Sequence, residues 1–290
     1  MKTSVICAVK NEESHIKKLI DSLIVQTKKP SEIIIVDGGS SDNTIKIINS
    51  YIKSCSLIKL IIKPGVNISE GRNIAVENSN YDYIAGIDAG CRADKKWLEN
   101  LSKPLEKDST VDVVAGFFLP DVKTEYEEVV GKLTYPKLEI MKPEGFLPSG
   151  RSIAFKKHYW EKVGGYPEWL YTGEDSLFDL KLKEMGCKFV FAKDAIVFWK
   201  PRPNLFKLFK QYFLYSKGAT QAGIENIFMF KPYGYNIKDY ISYVLKYSLS
   251  LIRKTQITSL LYVPLILSTI LISKILGLLV GKTFRKEPKK

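Results

Sequence analysis

The sequence predicts an α/β fold: a mostly parallel sheet flanked by helices, followed by an apolar helical segment that associates with a membrane. Three observations predict it. Runs that are apolar throughout alternate with segments of helical spacing over residues 4–118, and strands without polar alternation are typical of parallel sheets covered on both faces. Small and polar residues separate these runs, as turns require. Residues 257–280 are almost entirely apolar.

The alternation of strands and helices begins at the N-terminus. The predicted strands cover residues 4–9, 32–36, 57–62, 83–87 and 111–118. The predicted helices cover residues 12–26, a segment that begins at 42, and residues 69–78 and 95–106. The carboxyl ends of parallel strands meet at one edge of a sheet, and ligands bind there. Because Asp37 and Asp88 each follow a strand, we expect them to share a cleft.

The middle of the chain mixes element types and shows no internal repeat. An acidic helix is predicted around residues 125–130. A second helix is predicted in GEDSLFDLKLKEMG, which begins at Gly173, with an inward stripe of Leu177, Leu180 and Leu182. This segment connects the sheet-forming half to the rest of the chain.

The C-terminal part is apolar and then basic. Residues 257–280 contain Lys274 but few other polar groups, and about 20 such residues cross a bilayer. The segment 240–252 is shorter and contains Lys246, so it is predicted to lie in the membrane interface or to form one arm of a short hairpin. The tail KTFRKEPKK favours a cytosolic end. A buried helix pair in a soluble protein is the alternative.

The net charge of +13 indicates an anionic partner, and nucleic acid, a phospholipid surface and nucleotide phosphates all fit it. Residues 206–217 form a basic and aromatic amphipathic run. We favour an anionic membrane over nucleic acid, because an apolar segment follows downstream. Four scattered cysteines argue against a zinc site or a disulfide framework. The N-terminus turns polar too early for a signal peptide, which predicts the main domain on the cytoplasmic side of the cell membrane.

Two segments at predicted strand and helix ends contain residue types that contact phosphates. In VDGGSSDNT, residues 36–44, Gly38 permits a tight turn close to a ligand, although any strand-to-helix turn is built in this way. Arg72 lies early in a helix, where an arginine and free N–H groups hold phosphate. A surface arginine is the alternative.

Acidic residues stand at two further places. Asp88, at the end of the run YIAGI, can bind a divalent cation that neutralises a diphosphate, and a local ion pair with Arg92 is the alternative. Glu174 and Asp175 open a helix. Acids in a first turn stabilise the helix dipole by ~0.3–1 kcal/mol, and this ordinary role competes with that of a general base presented to a cleft.

Taken in order, these segments resemble a family 2 glycosyltransferase of the GT-A fold. The resemblance runs through SVICAVKNEESHIKKLIDSLIVQT, EIIIVDGGSSDNT, SEGRNIAVENSNYDYIAGIDAG, SGRSIAFKKHYWEKVGGYPE and GEDSLFDLKLKEMG. It covers about the first 200 residues. It implies a Rossmann-like, mostly parallel sheet and an enzyme that transfers a sugar from a nucleotide diphosphate.

The predicted donor-binding residues are Ala8, Val9, Glu12, Asp37, Gly38, Arg72, Asp88, Ala89, Gly150 and Arg151. The resemblance implies that Asp37 and the segment from Ala8 to Glu12 hold the base and ribose of the nucleotide. For Gly150 and Arg151, a turn before a buried strand is the alternative. The resemblance implies that Asp175 is the general base, and Glu174 is assigned a lesser catalytic role.

The resemblance also implies a divalent cation, Mg²⁺ or Mn²⁺, with Asp88 as its ligand. The sequence departs from the family pattern at Gly90, where a second metal-binding acid usually stands. Metal coordination then rests on Asp88 alone, with Asp94 or water assisting, or the metal is dispensable. The QxxRW motif of processive members is not visible, which argues against a processive polysaccharide synthase.

The predicted function is inverting transfer of a sugar to a hydroxyl of a lipid-linked or membrane-proximal glycan, with Asp175 as base. One alternative is a polyprenyl-phosphate sugar synthase, and another is a catalytically silent nucleotide-sugar-binding scaffold, which only Gly90 favours. Nucleic acid is not an expected partner. The predicted domains are a catalytic domain at 1–200, an amphipathic region at 201–238, and membrane-associated helices with a basic tail at 239–290.

Overall fold

The computed structural model describes residues 1–142, 145–224 and 237–283. Its chain divides into two units. The first contains residues 1–118 and 147–199, and the second contains residues 119–146 and 200–290. The C-terminal end of the basic tail, residues 284–290, and the end of the predicted amphipathic region, residues 225–236, lie outside the described residues.

A mixed sheet organises the first unit. Its strands are β1 Thr3–Val9, β2 Glu32–Asp37, β3 Ile58–Ile62, β4 Tyr83–Gly86, β5 Cys91–Ala93, β6 Val113–Pro120, β7 Ile153–Lys156 and β8 Phe189–Trp199. Their order is β3-β2-β1-β4-β7-β6-β8-β5. The first four strands are parallel, whereas β7 pairs antiparallel with both β4 and β6, and β5 pairs antiparallel with β8. The predicted α/β fold is confirmed, and its parallel part is the half that the alternating pattern describes.

The helices flank this sheet or belong to the second unit. Those of the first unit are α1 Ile16–Ile24, α2 Thr44–Ile52, α3 Ile68–Glu77, α4 Trp97–Lys107, α6 Lys157–Val163 and α7 Glu174–Glu184. Those of the second unit are α5 Glu125–Thr134, α8 Leu205–Gln221, α9 Ile237–Arg253 and α10 Ile257–Thr283. Boundaries are predicted for five strands, and those of β1, β2, β3, β4 and β6 differ from the predicted ones by at most two residues, because apolar runs define strands sharply.

Helix α1 begins four residues later than predicted. Asn11 has a φ of +54°, a left-handed conformation that asparagine tolerates better than most residues. Its side-chain oxygen accepts a hydrogen bond from Ser41 N at 2.8 Å. Residues 10–15 therefore form a loop tied to the loop after β2, and both loops lie at the carboxyl edge of the sheet.

Helix α7 buries a different face from the predicted one. Its buried residues are Glu174, Ser176, Phe178, Asp179 and Leu182, whereas Leu177 and Leu180 are half-buried. The predicted stripe is therefore wrong apart from Leu182. Phe178 determines the orientation, since its ring stacks on Tyr166 at 4.2 Å between centroids and meets Phe155 edge-on at 5.3 Å.

Helices α8 and α10 approach closely in the second unit. A Cβ at Gly277 would lie 2.3 Å from Phe213 O, and a Cβ at Gly281 would lie 2.7 Å from Thr220 Cβ. Ser216 Oγ donates to Lys274 O at 2.7 Å. Small residues at this four-residue spacing allow two helix backbones to touch. Among the described helices, α10 alone is long and apolar enough to cross a membrane.

The interior of the sheet has no space for a methyl group at Gly116. A Cβ there would lie 1.9 Å from Ser152 Oγ and 2.8 Å from Ala195 O. We expect Gly116→Ala to lower the free energy of unfolding by about 1–3 kcal/mol, the usual effect of overpacking, as measured by urea denaturation. Gly90→Ala is the matched control, because its Cβ would meet Trp199 at no less than 3.7 Å. Equal losses in both variants would contradict the prediction.

Candidate active site

The register of the parallel strands brings two predicted acids to the same edge. Asp37 is the partner of Val9 in β1, and Ile87 N, beyond the end of β4, donates to Ile6 O at 3.1 Å. Adjacent strands are about 4.8 Å apart. Asp37 therefore ends β2 and Asp88 lies just beyond β4. These two strands lie on either side of β1, roughly 10 Å apart.

The Asp37 carboxylate holds the loop that follows it. It is fully buried and accepts hydrogen bonds from Gly39 N at 2.8 Å, from Ser40 N at 2.7 Å and from Ser40 Oγ at 2.6 Å. Gly38 must lack a side chain, because a Cβ there would lie 2.9 Å from Val66 O. The hydrogen bonds within this loop account for its conformation, whereas binding of a nucleoside by Asp37 and of the donor by Gly38 stay predictions.

The segment from Ala8 to Glu12 adjoins that loop. Glu12 N donates to Thr44 Oγ1 at 2.8 Å, and Glu12 Oε2 lies 2.9 Å from His15 Nδ1. Ala8 faces the first turn of α3. A Cβ placed on Gly71 there would lie 3.0 Å from the Cβ of Ala8. Val9 is buried. These residues form one wall of the sheet edge, and their contact with a nucleoside also stays a prediction.

Arg72 is the centre of the candidate site. Its Nη1 lies 2.6 Å from Glu174 Oε1 and its Nη2 lies 2.7 Å from Asp88 Oδ1. The residue is only 5% exposed, so the alternative of a surface arginine is wrong. Although burial opposes the charge, the carboxylates of Asp88 and Glu174 raise the pKa of Arg72 well above its ordinary value. A permanent positive charge therefore stands beneath the strand edge.

Arg151 approaches Asp88 from the other side. Its Nε lies 3.9 Å from Asp88 Oδ2. The guanidinium carbon lies 3.9 Å from the ring centroid of Trp199 and 5.0 Å from that of Phe118. Next to Asp88, Ala89 is buried. Asp88 thus has a guanidinium at each oxygen, an arrangement that the sequence did not indicate.

Gly150 fits against Arg72 because it has no side chain. A Cβ there would lie 2.2 Å from Arg72 Nη2, and Gly150 N donates to Asp175 Oδ2 at 3.0 Å. The loop before β7 therefore connects the arginine to the acid that opens α7. Gly150 therefore belongs to the turn before the buried strand β7, and it also lies against the charged groups of Arg72 and Asp175.

The two acids at the start of α7 differ in exposure. Glu174 is 5% exposed and bound to Arg72, and burial, with the neighbouring Asp175 charge, raises the pKa of Glu174 to about 7. Asp175 is half-buried and accepts from Gly150 N and Ser176 N. Of the two carboxylates, that of Asp175 is therefore the more accessible.

Asn73 is a structural residue that the sequence analysis missed. Its amide nitrogen donates to Tyr166 O and Glu168 Oε1, both at 2.9 Å, and its oxygen accepts from Trp160 Nε1 at 3.0 Å and Tyr166 N at 2.8 Å. All four hydrogen-bonding positions of the amide are used. Asn73 thereby fixes the loop before α7 to α3. Its position in the sequence, directly after the predicted site residue Arg72, was the signal that could have identified it.

The side chains around Asp88 do not fit a divalent cation held by protein groups. Mg²⁺ and Mn²⁺ prefer several oxygen ligands, and no cluster of three or more His, Cys, Asp and Glu side chains occurs in the described part of the chain. The Asp94 carboxylate instead accepts from Lys96 N at 2.9 Å. Asp88 would be the one carboxylate ligand, with both oxygens facing arginines.

Asp179, one turn after Asp175, carries a testable pH dependence. It is 1% exposed, and neither carboxylate oxygen has a hydrogen-bond partner in the described structure. Burial, reinforced by the Asp175 charge, raises the pKa of Asp179 well above its ordinary value. Above about pH 4 the folded state therefore binds the proton more tightly than the unfolded chain, so this residue's contribution to stability falls as pH rises toward the raised pKa.

We expect Asp179→Asn to remove that loss. The difference in Tm, variant minus unmodified protein, should therefore increase from about pH 5 to about pH 8. For a domain of this size, 1 kcal/mol of stability corresponds to about 2–4 °C in Tm. Scanning calorimetry at both pH values measures it. Asp194→Asn, at an exposed position, is the control. A Tm difference that is the same at both pH values would show that Asp179 is ionised in the folded state.

Comparisons with known proteins identify the family to which the chain belongs. The family model described as Glycosyl transferase family 2 matches residues 4–158, just over half of the chain. Glycosyltransferase AglE of Haloferax volcanii is 27% identical over 225 residues, which cover 76% of this chain and 73% of that protein. The uncharacterized glycosyltransferase EpsJ of Bacillus subtilis is 29% identical over 200 residues, which cover 66% of this chain and 53% of that protein.

Two solved structures share the fold. The mannosyltransferase PcManGT from Pyrobaculum calidifontis, in complex with GDP-Man and Mn²⁺, has a TM-score of 0.67 at 17% identity over 99% of this chain and 88% of that chain. Residues 1–349 of Staphylococcus aureus TarS give a TM-score of 0.59 at 16% identity over 98% and 91%. At such identities the likeness concerns the fold. The chain therefore belongs to glycosyl transferase family 2 and is a nucleotide-sugar glycosyltransferase with the GT-A fold.

Proposed function

We propose that this enzyme transfers a sugar, with inversion, from a nucleotide-diphosphate donor to a hydroxyl of a lipid-linked or membrane-proximal glycan. One observation carries the proposal. The accessible Asp175 carboxylate is joined through Gly150 to the Arg72 and Asp88 cluster at the strand edge. A base and a group that stabilises an anion are thereby adjacent, as displacement of a diphosphate requires.

The two halves of the reaction fall to different residues. Asp175 takes the proton of the attacking hydroxyl while the acceptor oxygen forms a bond to the anomeric carbon. The bond from that carbon to the diphosphate breaks with its electron pair moving to the diphosphate. Glu174 positions Arg72 through the 2.6 Å contact and does not touch the acceptor in this proposal. A single displacement from the face opposite the leaving group inverts the anomeric carbon.

No step in this proposal is assigned to a metal ion. GDP-Man is accompanied by Mn²⁺ in the Pyrobaculum mannosyltransferase, and the sequence predicts Mg²⁺ or Mn²⁺ at Asp88. In this chain both Asp88 oxygens face arginines, at 2.7 Å and 3.9 Å. The charge of the leaving group is therefore assigned to the protein's own cations.

A membrane location is proposed from the second unit. Along α9, exposed Ile and Leu side chains recur every three or four residues, at Ile237, Ile241, Leu245, Leu249 and Ile252. Helix α10 exposes a similar set, which includes Ile257, Leu261, Leu265, Leu271, Ile275 and Leu279. Soluble surfaces rarely expose such continuous apolar patches, and the positive net charge favours anionic lipid. A membrane-bound acceptor suits this location.

The base assignment is tested by Asp175→Asn. We expect the substitution to lower kcat by about 10²–10⁴, the usual contribution of a general base, with the Kd for donor little changed. Transfer to a panel of lipid-linked glycans, with each common nucleotide-sugar as donor, measures it. Glu184→Gln, an exposed acid on the same helix, should leave the rate unchanged.

The same variant separates the two enzymatic alternatives. A polyprenyl phosphate is already an anion and needs no strong base, so a polyprenyl-phosphate sugar synthase would retain its rate in Asp175→Asn. A catalytically silent scaffold would bind a nucleotide-sugar without turnover in any variant. Either result would contradict the proposed reaction.

The membrane assignment is tested by replacing five exposed side chains with Asn: Ile241, Leu245, Leu249, Leu261 and Leu265. Each contributes about 1.5–3 kcal/mol when fully buried in an apolar phase, so the variant should lose most of its binding to vesicles that contain phosphatidylglycerol, measured by flotation. The control is Val25→Asn with Ile62→Asn, which alters similarly exposed apolar residues in the first unit. Equal flotation of all three proteins would contradict the assignment.

A further inference from the structure

The Asp88 carboxylate is flanked by two cations that differ from it in exposure. Its own side chain is 25% exposed, whereas those of Arg72 and Arg151 are 7% and 13% exposed. The two guanidiniums approach opposite oxygens of the same carboxylate. The strand edge therefore presents a partly accessible acid with a fixed positive group on each side.

Both guanidiniums are held in place. Arg151 is stacked between Trp199 and Phe118 at 3.9 and 5.0 Å, and aromatic faces stabilise the charge and the orientation of a guanidinium. Arg72 is bound by Glu174 at 2.6 Å. Donors that are already ordered lose little conformational entropy when an anion binds.

Steric constraints do not require a glycine at position 90. Its φ is not in the left-handed region, and a Cβ would have Trp199 Nε1 as its nearest neighbour at 3.7 Å, an ordinary contact. An aspartate therefore fits at this position. Such an acid would place a second negative charge near Arg151 and would give a cation a second carboxylate ligand.

We propose that Arg72 and Arg151, in place of a protein-held divalent cation, neutralise the diphosphate of the donor, and that Gly90 adds no further carboxylate beside this guanidinium pair. The proposal rests on the proposed function. Guanidinium forks bind phosphate oxygens with parallel hydrogen bonds. When the bond from the anomeric carbon to the diphosphate breaks, its electron pair goes to an oxygen that the pair stabilises. The acceptor proton goes to Asp175, so no further reactant is needed.

The first test measures binding of inorganic pyrophosphate to the full chain in excess EDTA by titration calorimetry. We expect the unmodified protein to bind, and Arg151→Met to bind about 10–100-fold more weakly, as loss of a charge-assisted hydrogen bond implies. Arg151→Lys should fall between them, because it keeps the charge but not the fork. Lys193→Met, at an exposed position, is the control, and circular dichroism confirms folding. Equal affinity in all four proteins would overturn the proposal.

The second test introduces the missing acid. Gly90→Asp should weaken metal-free pyrophosphate binding by at least about tenfold, since a nearby like charge opposes the anion, and Mn²⁺ should restore it. The isosteric, neutral Gly90→Asn should show neither effect. If Mn²⁺ strengthens pyrophosphate binding to the unmodified protein as much as to Gly90→Asp, the protein already holds a cation and the proposal is wrong.

The third test separates this proposal from the proposed function. Sugar transfer by the unmodified enzyme should proceed at similar rates in EDTA and in Mn²⁺. Transfer that stops in EDTA and returns with Mn²⁺ would overturn the guanidinium pair but leave the transferase reaction standing. If no nucleotide-sugar is turned over in either condition, the proposed function fails, and the pyrophosphate titrations still decide whether the pair binds a diphosphate.

Discussion

The ion pairs of Arg72 connect three elements that are distant in the chain. The arginine lies in α3, Asp88 follows β4, and Glu174 opens α7. Burying a charge is expensive unless its partners are present, and removing one partner of such a pair costs about 3–5 kcal/mol. The cluster is therefore stable only when the sheet edge and both helices are assembled. The same contacts that hold the edge together also fix the position of the Arg72 guanidinium.

Burial separates the roles of two neighbouring acids. Glu174 and Asp175 are adjacent in sequence, and both stand in the first turn of one helix. Glu174 is directed into the protein, where Arg72 binds it, whereas Asp175 remains partly accessible next to Gly150. The loop that leads to them is fixed by Asn73. The difference between the proposed positioning residue and the proposed base thus arises from the direction in which the helix enters the site.

The second unit is stabilised by a different interaction. Helices α8 and α10 approach closely at Gly277 and Gly281, and Leu208 of α8 lies with Val263 and Ile266 of α10 in one buried apolar cluster. The Leu and Ile residues of α10 remain available on its exposed sides. Close backbone packing at small residues also drives the association of helices in lipid, and it is compatible with the proposed membrane location.

The sequence by itself determined the order of strands and helices in the first half of the chain, the placement of Asp37 and Asp88 at the carboxyl ends of strands, and the apolar character of the C-terminal helix. These features follow from local periodicity, which depends on residues close together in the chain. Only the tertiary structure decided that Arg72 is buried between Asp88 and Glu174, that Arg151 stacks on Trp199, and that residues 119–146 belong with the C-terminal helices. Those contacts join residues up to about a hundred positions apart, and they exist only once the packed elements exclude water and fix which charges must pair.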